Sequence, residues 1–258
     1  MGPSGKLRIG WRKFTSCWTN AHHGQLTDLT LEQRSALFAS EIQETLDGSL
    51  PGDRLVASYK APSGNKFVVR LEEAKMPLTV AGKTVAYLGC SMDQELDRAG
   101  KYLKTTGSKV TVWSKIDRTP LIRLEYDAAM RGAPISHWQI HAERGAMSHL
   151  LGHAYALPGR TVSRPHDFSS LHFPLGGERF RPCLEDVIQF LIEECGIDSK
   201  DNWRAVVEAG REKWRRIQLR SAVRDAPEEA ASVLRHHGYI VESSVEEAED
   251  RLAPLRKW

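Results

Sequence analysis

Apolar residues recur at helical spacing between residues 30 and 47, which predicts one amphipathic helix near the start of the chain. Thr30 and Gln33 form a capping-box pattern in front of it, in which each side chain satisfies a backbone donor at the helix start. Gly48 follows Asp47 and is placed to end the helix in a left-handed conformation. The stripe consists of Leu31, Phe38, Ile42 and Leu46.

The hydrophobic period then changes to alternation, which is typical of strands. Most of these segments follow one another through short turns without a helix between them, so we expect an antiparallel sheet of about six strands. Residues 93–103 interrupt the alternation and predict a short helix or loop. The strand segments are residues 54–60, 66–71, 79–80, 84–88, 109–115, 121–126 and 137–143.

The last third of the chain is helical in pattern, over residues 184–195, 201–220 and 227–236, with a short helix after Ser244. The fold class is therefore α+β. We expect residues 1–158 to form the helix and sheet, 159–182 a loop, and 183–258 a helical portion packed with the sheet as one unit.

Composition narrows the class of protein further. The 258 residues are 41% hydrophobic and 27% charged, as in globular domains, and the net charge of +3 is too small to indicate nucleic-acid binding by itself. The four cysteines lack metal-ligand spacing, which favours free thiols in a reducing compartment. No apolar run reaches the length of a membrane span. We therefore expect a cytoplasmic protein without membrane contact.

Histidines concentrate between residues 136 and 174, which hold six of the ten in the chain. On a strand, His137, Gln139, His141 and Glu143 share one face. Imidazoles exchange protons near neutral pH, so His141 or His137 is a candidate general base or acid that Glu143 would orient. The alternative is a solvated strand face.

The segment after this strand carries further cationic and imidazole groups. Arg164, His166 and His172 suit the binding of an anion such as phosphate, with His166 and His172 as additional catalytic candidates. His149 and His153 lie four residues apart on a predicted helix, a spacing that fits partly buried structural histidines or a pair of ligands for a divalent metal.

The helix predicted over residues 201–220 has two contrasting faces. Its apolar stripe contains Trp203, Val207, Gly210, Trp214 and Ile217, and a protein partner could bind there. The opposite face is rich in arginine, and fits either a solvated amphipathic helix or a contact with nucleic acid.

Residues 54–143 resemble the TumE-like toxins of bacterial toxin–antitoxin systems. A charged, strand-rich region leads to the strand at residues 121–127, then to a proline-containing connection, then to His137 and His141. The resemblance implies that His137, His141 and Arg123 border a site acting on nucleic acid. The chain departs from that family because adjacent histidine pairs are absent from residues 128–141 and the C-terminal helices have no counterpart.

These observations predict an RNase-like phosphodiesterase of a toxin–antitoxin or phage-defence type. In it, Arg123, Arg164 and Gln139 would bind the substrate. One alternative is a non-catalytic regulator, such as an antitoxin or defence component, that binds a partner through residues 201–220. Another is a metal-dependent hydrolase using His149, His153 and a third ligand such as His166 or Asp167.

Overall fold

A computed structural model describes residues 29–62, 65–116, 119–131, 133–142, 172–243 and 250–256. It confirms the α+β class: a helix, a mainly antiparallel sheet and C-terminal helices follow in that order. The helices are α1 (Leu31–Ser49), α2 (Leu184–Glu193), α3 (Trp203–Asp225), α4 (Pro227–His236) and α5 (Leu252–Arg256). The strands are β1 (Val56–Lys60), β2 (Phe67–Leu71), β3 (Met76–Val80), β4 (Lys83–Leu96), β5 (Leu103–Ser114), β6 (Pro120–Asp127), β7 (Ser136–Ile140) and β8 (Phe173–Pro174).

The sheet has the strand order β1-β2-β4-β5-β6-β7-β8, with β3 paired to β4, and each of these pairings is antiparallel. Of the helix or loop predicted over residues 93–103, the helix is wrong, and the loop is confirmed only for residues 97–102. A shift in register after Asp93 lets β4 and β5 continue pairing to Leu96 and Leu103. Asp97 holds the turn between them, because its carboxylate accepts from the backbone N–H groups of Lys101 and Tyr102 at 2.8 and 3.0 Å.

The helices pack on one face of the sheet, and the main core lies between these layers. Leu46 and Leu50 at the end of α1 are fully buried, as is Ile188 of α2. The alternation of β6 is confirmed, since Leu124 and Tyr126 are buried in the expected phase. The buried sheet residues of this core include Val56, Val69, Leu71, Met76, Leu78, Leu88, Cys90, Met92, Val110, Val112 and Leu124.

The capping box at Thr30 is confirmed, but the predicted glycine end of α1 is wrong. Gly48 lies within the helix, where a Cβ atom would come within 2.8 Å of Val206 Cγ2 on α3. The helix end is instead capped by Arg54, whose guanidinium donates to the carbonyls of Leu46, Leu50 and Pro51 at 3.1, 2.8 and 2.8 Å. Gly48 therefore allows α1 and α3 to pack closely. The buried guanidinium of Arg54 satisfies the backbone carbonyls at the end of α1.

Helices α2 and α4 lie close to the predicted positions, whereas α3 extends past residue 220 to Asp225. The helix start predicted at Ser244 lies outside the described residues, and α5 begins at Leu252. On α3 the predicted apolar stripe is confirmed by Val207, which is fully buried, and by Trp203, which packs against the core. The start of this stripe packs on the protein itself, whereas Ile217 near its end is 41% exposed. No helix in the described ranges is long and apolar enough to cross a membrane.

Candidate functional site

The second face of the sheet, opposite the helices and here called the outer face, carries two cross-strand rows of polar residues. Because directly opposite residues of antiparallel strands share a face, the register of β5, β6 and β7 defines both rows. The first row is Lys109, Glu125 and His137, and the second is Thr111, Arg123 and Gln139.

His137 lies at the buried end of the first row, with no exposed surface. Its Nδ1 lies 2.8 Å from the carbonyl oxygen of Pro134, and its Nε2 lies 3.5 Å from Oε2 of Glu125. A carbonyl can only accept a hydrogen bond, so Nδ1 carries a proton. An acceptor group faces each ring nitrogen, although Nε2 is buried and has no partner at normal hydrogen-bond distance.

Glu125 lies between Lys109 and His137 in this row and contacts both of them. Its carboxylate contacts Lys109 Nζ at 2.8 Å. Interaction with His137 is the largest cause that lowers the pKa of Glu125 to about 2, against the opposing effect of burial, and Lys109 and Arg123 lower it further. Glu125 is therefore an ionised carboxylate at neutral pH.

His172 lies against this row, just before β8. Its ring meets the His137 ring edge to face, with 4.5 Å between centroids. Its Nε2 lies 3.0 Å from Nε2 of Gln139. Burial lowers the pKa of His172, and the nearby His137 lowers it further, so His172 is neutral at pH 7. The His137 ring thus lies beside the Glu125 carboxylate, whereas the His172 ring contacts the Gln139 amide.

The second row contains polar atoms whose hydrogen-bonding capacity is unmet. Thr111 Oγ1, Arg123 Nε and Gln139 Oε1 are buried and have no hydrogen-bond partner in the structure as described. Most buried polar atoms in proteins are paired with protein or water, so three such atoms in one row indicate a bound water or ligand group.

The structure brings together some of the predicted site residues. His137, Gln139, His172 and Arg123 meet on the outer face. His141 follows β7 and continues the ladder, since its backbone N–H donates to the Leu121 carbonyl at 2.9 Å. The residue is partly exposed, although its Nε2 atom is buried. The other candidates, Glu143, His149, His153, Arg164, His166 and Asp167, lie outside the described residues.

His137 stays a predicted catalytic residue, but it is fully buried and lies against His172. Among the described residues, the carboxylate beside His137 is that of Glu125 on the adjacent strand.

Sequence analysis missed Lys109, Thr111 and Glu125 as members of this site. The alternation of β5 and β6 shows which residues share a face within each strand. Only the register between the strands places Lys109, Thr111 and Glu125 in line with His137 and Gln139. No local signal gives that register.

Within the described part of the chain, no group of three or more histidine, cysteine or acidic residues is arranged to hold a metal ion. Cys90 and Cys183 are buried there as free thiols, and Cys195 is exposed. Burial raises the pKa of Cys90 to about 12, so this thiol is a poor nucleophile.

Comparison with known proteins adds no assignment. No family model matches the chain, and no curated protein or solved structure matches it. The resemblance to TumE-like toxins therefore stays a prediction.

Proposed function

We propose that the outer face is the active site of a phosphodiesterase that cleaves RNA by histidine acid–base chemistry. The observation that carries this proposal is the row of unmet buried polar atoms, Thr111, Arg123 and Gln139, directly beside a neutral imidazole. A phosphate group would supply oxygens to the arginine donor, and the imidazole would supply the base.

His172 acts as the general base in this proposal. Among the described residues, Gln139 alone hydrogen-bonds to its ring, through Nε2, so Nδ1 is available to substrate. With the Gln139 amide turned so that Oε1 accepts from the Nε2–H of His172, the lone pair lies on Nδ1. In that orientation the Gln139 amide nitrogen takes the unmet position in the second row, where it would donate to a phosphate oxygen.

A cationic group on the same face favours an anionic substrate. Arg123 would donate to a phosphate oxygen, while Lys109, one row away, is paired with Glu125. Such preorganised donors stabilise charge that grows on a phosphorane-like transition state. His137 and Glu125 act as positioning residues, because they fix the His172 ring from behind without reaching the substrate.

RNA is favoured over DNA because its 2′-hydroxyl is an internal nucleophile. His172 Nδ1 would take the proton of that hydroxyl, and O2′ would attack phosphorus and displace O5′. The leaving O5′ would take a proton from a second histidine, for which His141 is the candidate within the described residues. The products would be a 2′,3′-cyclic phosphate and a free 5′-hydroxyl.

The test incubates purified protein with a single-stranded RNA and with the same RNA bearing 2′-O-methyl groups. We expect cleavage of the first alone, and a loss of about 10² to 10⁴ in rate for His172→Ala, the range for a general acid or base. His141→Ala tests the proposed acid in the same assay.

The matched control is His236→Ala, which removes an exposed histidine on α4 and should cleave like wild type. The proposal fails if wild type leaves RNA intact, if it cleaves the 2′-O-methyl RNA equally well, or if His172→Ala cleaves at the wild-type rate.

A second candidate function is a non-catalytic interaction protein, and a different observation favours it. The C-terminal helices and the segment after them expose large apolar side chains, which mark interaction surfaces when they lie close together. These include Leu219, Val223, Val233, Leu234, Tyr239 and Ile240. Light scattering measures self-association of wild type, Leu219→Glu and Val223→Glu. Self-association of wild type that is lost in the two variants supports the interaction protein over the phosphodiesterase.

A further inference from the structure

A cavity of about 110 Å³ lies on the helix side of the sheet, away from the outer face. It is bounded by α1, α2, α3 and strands β4 to β6. Most of its wall is apolar, including Ile42, Val110 and Leu124. A cationic, an acidic and an aromatic side chain also line it, those of Arg181, Glu185 and Trp214.

Arg181 is a buried cation, with 8% of its surface exposed. Its guanidinium lies between two aromatic rings, 3.8 Å from the centroid of Tyr126 and 4.8 Å from that of Trp214. This stack fixes the guanidinium plane while leaving its edge available for hydrogen bonds.

The hydrogen bonds of Arg181 are incomplete. Among the described residues, its guanidinium donates to the carbonyl of Glu178 alone, and no carboxylate oxygen lies within 4.0 Å of it. The Glu178 carboxylate is bound instead to Arg179 at 3.0 Å. Burial is the largest cause that lowers the pKa of Arg181 to about 10, against the raising effects of Tyr126 and Glu178. Buried charges in proteins are normally paired, so a fixed guanidinium without a carboxylate indicates a missing anion.

The other charged groups around the cavity do not supply that anion. Lys213 and Glu41 neutralise each other at 2.6 Å. Glu185 lies against Gly210, where any Cβ atom would overlap its carboxylate. Burial raises the pKa of Glu185, which favours its neutral form and weakens its repulsion of an anion.

We propose that this cavity is a binding site for a small monocarboxylate, with the carboxylate on Arg181 and the apolar end against Ile42, Val110 and Leu124. A carboxylate matches the planar guanidinium with two parallel hydrogen bonds. An apolar cavity of about 150 Å³ holds benzene, so this one has room for roughly four or five non-hydrogen atoms. Acetate and propionate have that size.

The test is a titration of the full chain with sodium propionate, with sodium chloride at matched ionic strength as reference. The indole N–H signal of Trp214 is followed by NMR and assigned by its absence in Trp214→Phe. We expect a saturable shift of that signal with propionate and none with chloride. Arg181→Met should bind propionate about ten- to a hundredfold more weakly, the equivalent of losing a charge-assisted hydrogen bond.

Arg204→Met is the matched control, because it removes an exposed arginine of α3 with the same change in charge. It should bind propionate like wild type. If Arg181→Met does not fold, Arg181→Lys keeps the charge, loses the planar fork, and should still weaken binding. The proposal is overturned if the Trp214 signal does not saturate with propionate, if chloride gives the same shift, or if Arg204→Met weakens binding as much as the Arg181 variants.

Discussion

Oε2 of Glu125 lies 3.5 Å from Nε2 of His137, across directly paired positions of β6 and β7. The pKa of Glu125 falls from its usual 4.5 to about 2 through this contact, with help from Lys109. A carboxylate with a depressed pKa stabilises the fold above pH 4.5, and this stabilisation is lost as pH falls towards 2. We expect Glu125→Gln to unfold about 1 to 3 kcal/mol more easily at pH 7, allowing for partial exposure.

The measurement is the free energy of unfolding in urea between about pH 2.5 and pH 7, a range that covers most of the interval between the usual pKa and the lowered pKa of about 2. The difference between wild type and Glu125→Gln should shrink steadily as pH falls below 4.5. Glu95→Gln serves as control, because Glu95 also contacts two lysines on the sheet, at 3.5 and 3.9 Å. A constant difference across the pH range would contradict the role given to Glu125.

Gln139 contacts the His172 ring, with 3.0 Å between their Nε2 atoms. His172 has a lowered pKa because it is partly buried and faces His137. Gln139→Glu places a carboxylate at the ring and should raise that pKa, since an opposite charge favours the imidazolium. Gln139→Leu should not raise it. Proton NMR titration of the His172 ring signal, assigned with His172→Ala, decides between these outcomes without any activity assay.

Much of the fold was predictable because its signals are local. The capping box of Thr30 and Gln33 marks the start of α1, and Pro227 and Gly238 bracket α4 within the sequence itself. The extension of β4 and β5 was not predictable. Asp93 lies in a polar stretch that resembles a turn, and it becomes strand because β2 and β5 both pair with it, with a bulge on the β5 side.

The part of the candidate site that could be predicted also depends on a local signal, the alternation of side chains along a strand. Strand alternation placed His137 and Gln139 on one face, and the structure agrees. The partners of these residues depend on strand register, so Glu125 was missed although it lies directly opposite His137. Burial of His137 was likewise hidden, because alternation gives the face of a residue and not what covers that face.

Arg54 holds the carboxyl end of α1, so its loss should be costly. Its side chain is 3% exposed and donates to several backbone carbonyls near the helix end. We expect Arg54→Met to destabilise the protein by about 2 to 3 kcal/mol, since charged donors to carbonyls are stronger than neutral ones. Arg54→Lys should recover less than half of the lost stability, because an ammonium cannot reproduce the fixed, planar set of guanidinium donors. Arg98→Met, at an exposed turn, is the control in urea unfolding and should change little.

Gly48 reverses the usual effect of alanine in a helix. Alanine is normally better than glycine by about 1 kcal/mol, but a Cβ here would lie 2.8 and 3.0 Å from the two methyl groups of Val206. Val206 is short and helical, so it cannot move aside, and we expect Gly48→Ala to cost about 1 to 2 kcal/mol. Gly48→Ala with Val206→Ala should be less destabilised than the two single changes predict together. Urea unfolding measures this cycle, with Ser40→Ala on the exposed side of α1 as control. A stabilised Gly48→Ala variant would show that α1 and α3 are not in close contact.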